Sequence, residues 1–457
     1  MEADSLHLYD YPLDYEIEVV GDYYIDPNVN PTEGKWFYTA VPVTYSVPSE
    51  VETEILADLF LPESLQEENP EGNRQSAYNS FLDELEFEAL RITGNLPEGV
   101  EENTRLQGLQ AKTYPSGTVM VRNTDNEEMI PVVGVKVRTR RAFSFGKGFT
   151  NEDGEYRVDK AYRYDCHYTL IFENEAGFKV WNSMVDISEA QHYVGSHNQT
   201  GFDFNIDGNS RAWPFATVNN AAVRYLEHSS NLGIPQPPSG LRIAALNREG
   251  WSSAPMLRKT WGVLGFTTHS QLATFLLKAN QLNLSTNVLA IITKFIQPDM
   301  IISASRTNGT EDVYGVVFHE MAHGSHFSKV GSSYWIKYIN YIMTYGIGDN
   351  GPYGDGTGAN AGYCGIGEQW GNYFSAVCMD REWPLGDGVG EYLFEIEDWY
   401  NPGFLLDVDN IADITTPEIY SCLSSTSFAS LINCLKTKTN NDEQVDAAFT
   451  NYTDWPE

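Results

Sequence analysis

Positive charge is scarce in this chain: 29 Lys and Arg stand against 63 Asp and Glu, a formal net charge of -34. Such a surface repels phosphate backbones, and no basic stripe is present to release counterions, so nucleic acid and anionic membrane are excluded as expected partners. The acidity itself is read as keeping the protein soluble. Cysteine is scarce too, with five in 457 residues and no CxxC pair, which excludes a disulfide scaffold. Cys422 and Cys434, on either side of a short Ser-rich segment, could close a local bridge in an oxidising compartment; two buried free thiols are the equal alternative. No run approaches the ~18 apolar residues of a membrane-crossing helix, so no transmembrane segment is expected in this chain. The start Met1-Glu2-Ala3-Asp4-Ser5 is polar and lacks an apolar signal core. It reads as a cytosolic N-terminus or as a chain cut after a removed signal or lipoprotein anchor.

What is present is a globular composition: 42% hydrophobic residues, with 27 Tyr and 22 Phe. That profile rules out disorder, and the length predicts two or three domains. Residues 1–116 are expected to form an acidic N-terminal region. It has extended segments around Trp36-Phe37-Tyr38 and Val41-Pro42-Val43, then a helical pattern through Phe81, Leu82, Leu85, Phe87 and Leu90. From 117 to 205 the period is two: Val119 and Val121, Val135, Val137 and Thr139, Tyr156 and Val158, then Tyr168, Leu170 and Phe172. Alternation with turn residues between the runs predicts a small antiparallel β-sandwich. From 206 to 457 the pattern is mainly helical, with candidates at 221–226, 271–277, 313–327 and 334–345, and strands at 241–246 and 300–303.

The run Pro131-Val132-Val133-Gly134-Val135-Lys136-Val137, with Gly148-Phe149-Thr150-Asn151-Glu152-Asp153-Gly154-Glu155-Tyr156, resembles a carboxypeptidase-regulatory-like (transthyretin-like) domain over about sixty residues. The resemblance implies a non-catalytic β-sandwich on an exported bacterial protein, hence an extracellular or cell-surface location; it assigns no active residue.

The chemistry is concentrated in Val316-Val317-Phe318-His319-Glu320-Met321-Ala322-His323-Gly324. Thr310 is read as the N-cap after the Asn308-Gly309 turn, and Glu311 and Asp312 fall in the first turn, where the dipole favours negative charge. On a helix, positions i and i+4 share a face, so His319 and His323 can both reach one Zn²⁺, with Glu320 close by but not bonded to it. In that setting zinc acidifies a water, and Glu320 acts as general base and then passes the proton to the leaving amine. The bland alternative is two histidines on a surface helix, which the apolar Val313, Val316, Val317 and Phe318 oppose.

A catalytic zinc needs a third protein ligand and an open position. The metzincin pattern HExxHxxGxxH fails, because His326 and Lys329 stand where it requires Gly and His. His326 is therefore read as a helix-surface or supporting residue. The better candidate is Glu368, in Gly365-Ile366-Gly367-Glu368-Gln369-Trp370-Gly371-Asn372-Tyr373-Phe374, where a helical pattern with Trp370, Tyr373, Phe374 and Val377 on one face follows a Gly-rich loop. His326 and Asp355 are the remaining ligand alternatives. In these residues the chain resembles the gluzincins (the thermolysin and neprilysin type), with HExxH on one helix and a ligand Glu on a second helix downstream. The resemblance implies a zinc metallopeptidase with His319, His323 and Glu368 as metal ligands. Where the family often has a carboxylate four residues after that Glu, this chain has Asn372.

The loop 346–367, with Asp349, Asn350, Asp355 and Asn360, is read as flexible, bordering the cleft, with a calcium site as the lesser alternative. Tyr353 and Tyr363 are candidate oxyanion donors, and the strand at 300–303 is expected to offer an edge to an extended substrate. The expected architecture is thus multidomain, a small antiparallel β-sandwich followed by a mainly helical α+β zincin-like catalytic domain. The expected activity is zinc-dependent hydrolysis of peptide bonds in a peptide or protein substrate. Two rivals are kept: a surface binding protein with a vestigial zinc site, which an intact Glu320 opposes, and a zinc hydrolase of a non-peptide amide.

Overall fold

The computed structural model describes residues 53–55, 87–88, 91–92, 112–141, 144–182, 189–248, 250, 252–261, 298–305, 307–346, 353–384, 399–410, 414–440 and 442–450. Most of the acidic N-terminal region, including nearly all of the helix expected near 81–90, and the helical stretch expected at 271–277 lie outside them.

The described chain combines mixed sheets with helices. Strands β1 (Ser116–Arg122), β2 (Met129–Pro131), β3 (Val135–Arg141), β4 (Ser144–Phe149), β5 (Glu155–Arg157), β6 (Cys166–Asn174), β7 (Lys179–Trp181), β8 (Gln191–His197) and β9 (Phe204–Ile206) come first. Then follow α1 (Trp213–Asn231), β10 (Arg242–Leu246), α2 (Leu257–Trp261), β11 (Met300–Ser303), α3 (Thr310–Tyr345) and α4 (Ala361–Glu382). Four short helices close the order: α5 (Phe404–Asp409), α6 (Thr416–Ser421), α7 (Phe428–Lys436) and α8 (Asp442–Thr450).

The period-two residues lie in strands as expected: Val119 and Val121 of β1 are buried, as are Val135, Val137 and Thr139 of β3. Their neighbours on the other face are less buried, which is how a half-buried sheet stabilises its register. β1 pairs with β2 and β5 antiparallel but with β9 parallel, so the first sheet departs from the purely antiparallel expectation.

The second sheet runs β11-β10-β7-β6-β3-β4, with β8 also on β6. Its strand β7 pairs parallel with β10, which pairs parallel with β11. One sheet therefore links the early strands to the strands that lead into α3, across position 205. Between them α1 is anchored by buried amides: Asn220 Nδ2 donates to the Pro131 carbonyl at 2.7 Å, and Asn219 Nδ2 and Asn174 Nδ2 donate to the Val133 carbonyl at 3.0 and 2.8 Å. These bonds satisfy irregular backbone that would otherwise be buried without partners.

The outer side of β11 is not a free edge. Ser253 exchanges backbone bonds with Ile301 at 2.9 and 2.8 Å, and the Ser303 amide donates to Ser252 Oγ at 3.0 Å. The stretch 252–256 thus lies antiparallel outside the strand that the sequence led us to treat as the edge. Just before β11, Asp299 is fully buried; its Oδ2 accepts from the Arg242 amide at 3.1 Å and its Oδ1 has no protein partner. Burial pushes its carboxyl up to about 6, against the pull of Lys259, Arg242 and Arg258. Between the unfolded value of ~4 and that value the folded chain holds a proton that the unfolded chain has lost, so stability falls as pH rises through this window. Asp299→Asn is expected to flatten that slope and to stabilise the protein at pH 7 by about 2 kcal/mol, read from denaturant unfolding at pH 4.5 and 7.

Candidate metal centre

Helix α3 begins at Thr310 with Gly309 as its N-cap, not Thr310. Glycine has no capping side chain, and the acceptors come from the turn after β1 instead. Asp125 Oδ2 accepts from the Glu311 amide at 2.8 Å, and Thr124 Oγ1 from the Thr310 amide at 3.1 Å. A Cβ at Gly309 would stand 2.0 Å from Asp125 Oδ1, so only glycine admits this contact. Asp125→Ala should lower stability by about 1 kcal/mol, seen as a reduced Tm, because the Glu311 amide loses its charged acceptor.

His319 and His323 lie on one face of α3, and Glu368 reaches them from α4. The two helices are held together where side chains are smallest and bonds most specific. Trp370 Nε1 donates to the Ala322 carbonyl at 3.1 Å, and Ser375 Oγ to the Gly315 carbonyl at 2.8 Å. Gly371 lies against the first imidazole: a Cβ there would come within 2.8 Å of His319 Cε1. Helix α4 starts at Ala361, so the last residues of the expected loop 346–367 are already helical.

The three candidate ligands converge. His319 Nε2 and His323 Nε2 are 3.0 Å apart, and Glu368 Oε2 is 3.2 Å from the first and 3.6 Å from the second. The side chain of Glu368 is 1% exposed, that of His323 3% and that of His319 17%, so the cluster opens to solvent beside His319. Four tetrahedral ligands at ~2.0–2.1 Å from a cation stand about 3.3 Å from one another, the spacing of this triangle. Glu368 Oε2 has no hydrogen-bond donor among its neighbours, a costly state for a buried carboxylate oxygen unless a cation or a protonated imidazole faces it. By spacing and donor chemistry these residues fit a metal ion.

Electrostatics agree with close packing of opposite charge. Although burial opposes ionisation, His323 and His319 hold the Glu368 carboxyl well below its usual range. Burial also opposes charge on His319, yet the Glu368 carboxylate 3.2 Å away and the nearby Glu320 raise it, whereas burial lowers His323. Glu320 is buried with Oε2 unpartnered; burial pushes its carboxyl up to about 8, His319 opposing and Glu368 adding to the rise. A dication at the triad would pull it back towards ionisation.

Behind Glu368 and Glu320, the Asn372 side chain also raises the His319 imidazole, and its Nδ2 has no hydrogen-bond partner. His326 is buried rather than on the helix surface. Its Nε2 donates to the Leu423 carbonyl at 2.9 Å, and burial lowers its imidazole to about 3. That carbonyl belongs to the segment closed by the Cys422–Cys434 disulfide, so these two cysteines are bridged.

Asp355 is not part of the cluster: its exposed carboxylate accepts from the amide and hydroxyl of Thr357. Of the two tyrosines, Tyr363 takes an exposed bond from Lys337 Nζ at 2.8 Å. Tyr353 lies close enough to Glu368 and Glu320 that, behind burial, both charges raise its phenol. Among the calcium candidates, Asp349 and Asn350 lie outside the described residues.

Sequence reasoning missed Tyr338, whose hydroxyl donates to Glu368 Oε1. Helical periodicity signals only its apolar face, and nothing local announces the fold-back that brings it to the site. No protein-family model matches the chain, and no curated protein matches it.

Proposed function

We propose that this chain is a zinc-dependent peptidase of the gluzincin type, in which His319, His323 and Glu368 hold the metal and Glu320 is the general base. The observation that carries the reading is the triangle of three ligand atoms, 3.0 to 3.6 Å apart and open on one side. When bound, Zn²⁺ supplies Lewis acidity that lowers the pKa of a water and polarises a carbonyl. Glu320, one residue from His319 and without a partner at Oε2, takes the proton from the attacking water and delivers it to the departing amine. Tyr353, whose phenol is raised by burial and then by the Glu368 and Glu320 charges, is the candidate donor to a developing oxyanion.

Because the stretch 252–256 covers the outer side of β11, that strand is not the edge an extended substrate would pair with. The strands before α1 are read as the carboxypeptidase-regulatory-like strands of an exported protein, joined to the zincin-like unit through the β7–β10 pairing rather than set apart from it.

Incubation with unfolded casein or a quenched peptide library should show cleavage that 1,10-phenanthroline abolishes and added Zn²⁺ restores. A protein with stoichiometric zinc that cleaves simple amides but no peptide would instead be the non-peptide amidase. Zinc-loaded protein inert towards both would leave a binding protein.

A further inference from the structure

We propose that Tyr338 is a positioning residue that restricts Glu368 to a single metal-binding oxygen and so keeps one coordination position open; the inference rests on the metal reading above. A carboxylate beside a metal can bind through one oxygen or chelate through both. With two imidazoles and a water already present, chelation would crowd the metal from four positions to five and compete with that water for its place. In this site the two oxygens of Glu368 are not equivalent. Oε1 accepts the Tyr338 hydroxyl, whereas Oε2 faces His319 Nε2 and His323 Nε2 at 3.2 and 3.6 Å and takes no hydrogen bond.

The phenol is held where it is by a break in α3. Residues 323 and 338 would be about 22 Å apart along a straight helix. Their rings are 5.9 Å apart, because Gly331 adopts φ 72° and ψ -178° and the chain folds back on itself. That backbone conformation strains any residue with a Cβ, even though open space surrounds the position. After the break, the Tyr338 ring stacks on Trp335 at 4.7 Å with a 23° tilt. Gly367 on α4 leaves just enough room beside it: a Cβ there would be 3.1 Å from Tyr338 Cε2. A buried phenol with its ring fixed on two sides has one direction in which to donate, and Glu368 Oε1 occupies it.

The test replaces the metal with Co²⁺, whose visible band is intense in four-coordinate and weak in five-coordinate sites, in the whole chain with and without Tyr338→Phe. The variant keeps the ring, and thermal unfolding checks that it is folded. With Glu368 free to chelate, the band should weaken several-fold and the Co²⁺ Kd, from competition with a chelator, should change by about 10-fold, the scale of lost supporting bonds at metal sites. The change should vanish in a Glu368→Ala background, since Tyr338 acts only through that carboxylate. An unchanged band and Kd, or a change in Kd that is the same with and without Glu368, would overturn the positioning role while leaving the metal site intact. A wild-type chain that shows no cobalt band would overturn the metal reading itself, and this proposal with it.

Discussion

Glu320→Gln should leave the protein folded and metal-loaded yet reduce peptide hydrolysis by about 10³- to 10⁴-fold. The size follows from the role: a positioned base contributes on the order of 10²–10⁴ to such a step, and glutamine has the same shape without a basic oxygen. Metal retention should be unaffected because the ligand atoms belong to His319, His323 and Glu368, not to Glu320. Folding should be, if anything, easier. The Glu320 carboxyl is buried, with Oε2 unpartnered, so the neutral amide removes the cost of a buried charge. Metal analysis alongside a peptide assay reads both halves. Equal activity in the two proteins would discard the enzyme reading whatever the metal content.

The second large effect concerns the ligand set. Glu368→Ala should weaken zinc binding by about two to three orders of magnitude, one ligand's share of the ~10–16 kcal/mol released at four-ligand zinc sites. It should also make His319 harder to protonate, since the adjacent Glu368 carboxylate, with Glu320, raises its pKa against burial. The two readouts are separable: zinc competition with a chelator for the first, NMR titration of the metal-free imidazole for the second. Unchanged metal content would move the third ligand elsewhere, and among the described residues no other His, Cys, Asp or Glu cluster is spaced to hold a metal.

Much of this site could be read before any coordinates. The i, i+4 pair of His319 and His323 was legible because helical spacing is a local property, and Glu368 because a second helix with an apolar face follows the Gly-rich stretch. Strands β1, β3, β6, β10 and β11 were legible from alternation or short apolar runs for the same reason. The errors were all non-local. Thr310 was read as a cap because its neighbours fit, but the acceptor at this helix start is Asp125, 186 residues from the amide it caps. The strand at 300–303 looked like an edge because nothing in its own residues tells that Ser253 pairs with it. For His326 the choice between a helix-surface and a supporting place stayed open, because helix periodicity cannot foresee that the segment around Leu423 covers it.

By itself, then, the sequence determined which side chains could serve as metal ligands and base, and the local helices and strands that carry them, since these depend on residue type and spacing of 2 or 3.6. Only the tertiary structure decided that the three ligand atoms meet, that the early strands cap α3 and share a sheet with β10 and β11, and that Tyr338 turns back onto Glu368. The reason is that these contacts join residues far apart in the chain. They exist only because the packed core makes two helices approach at Gly371 and bend at Gly331, positions whose importance lies in what they leave room for.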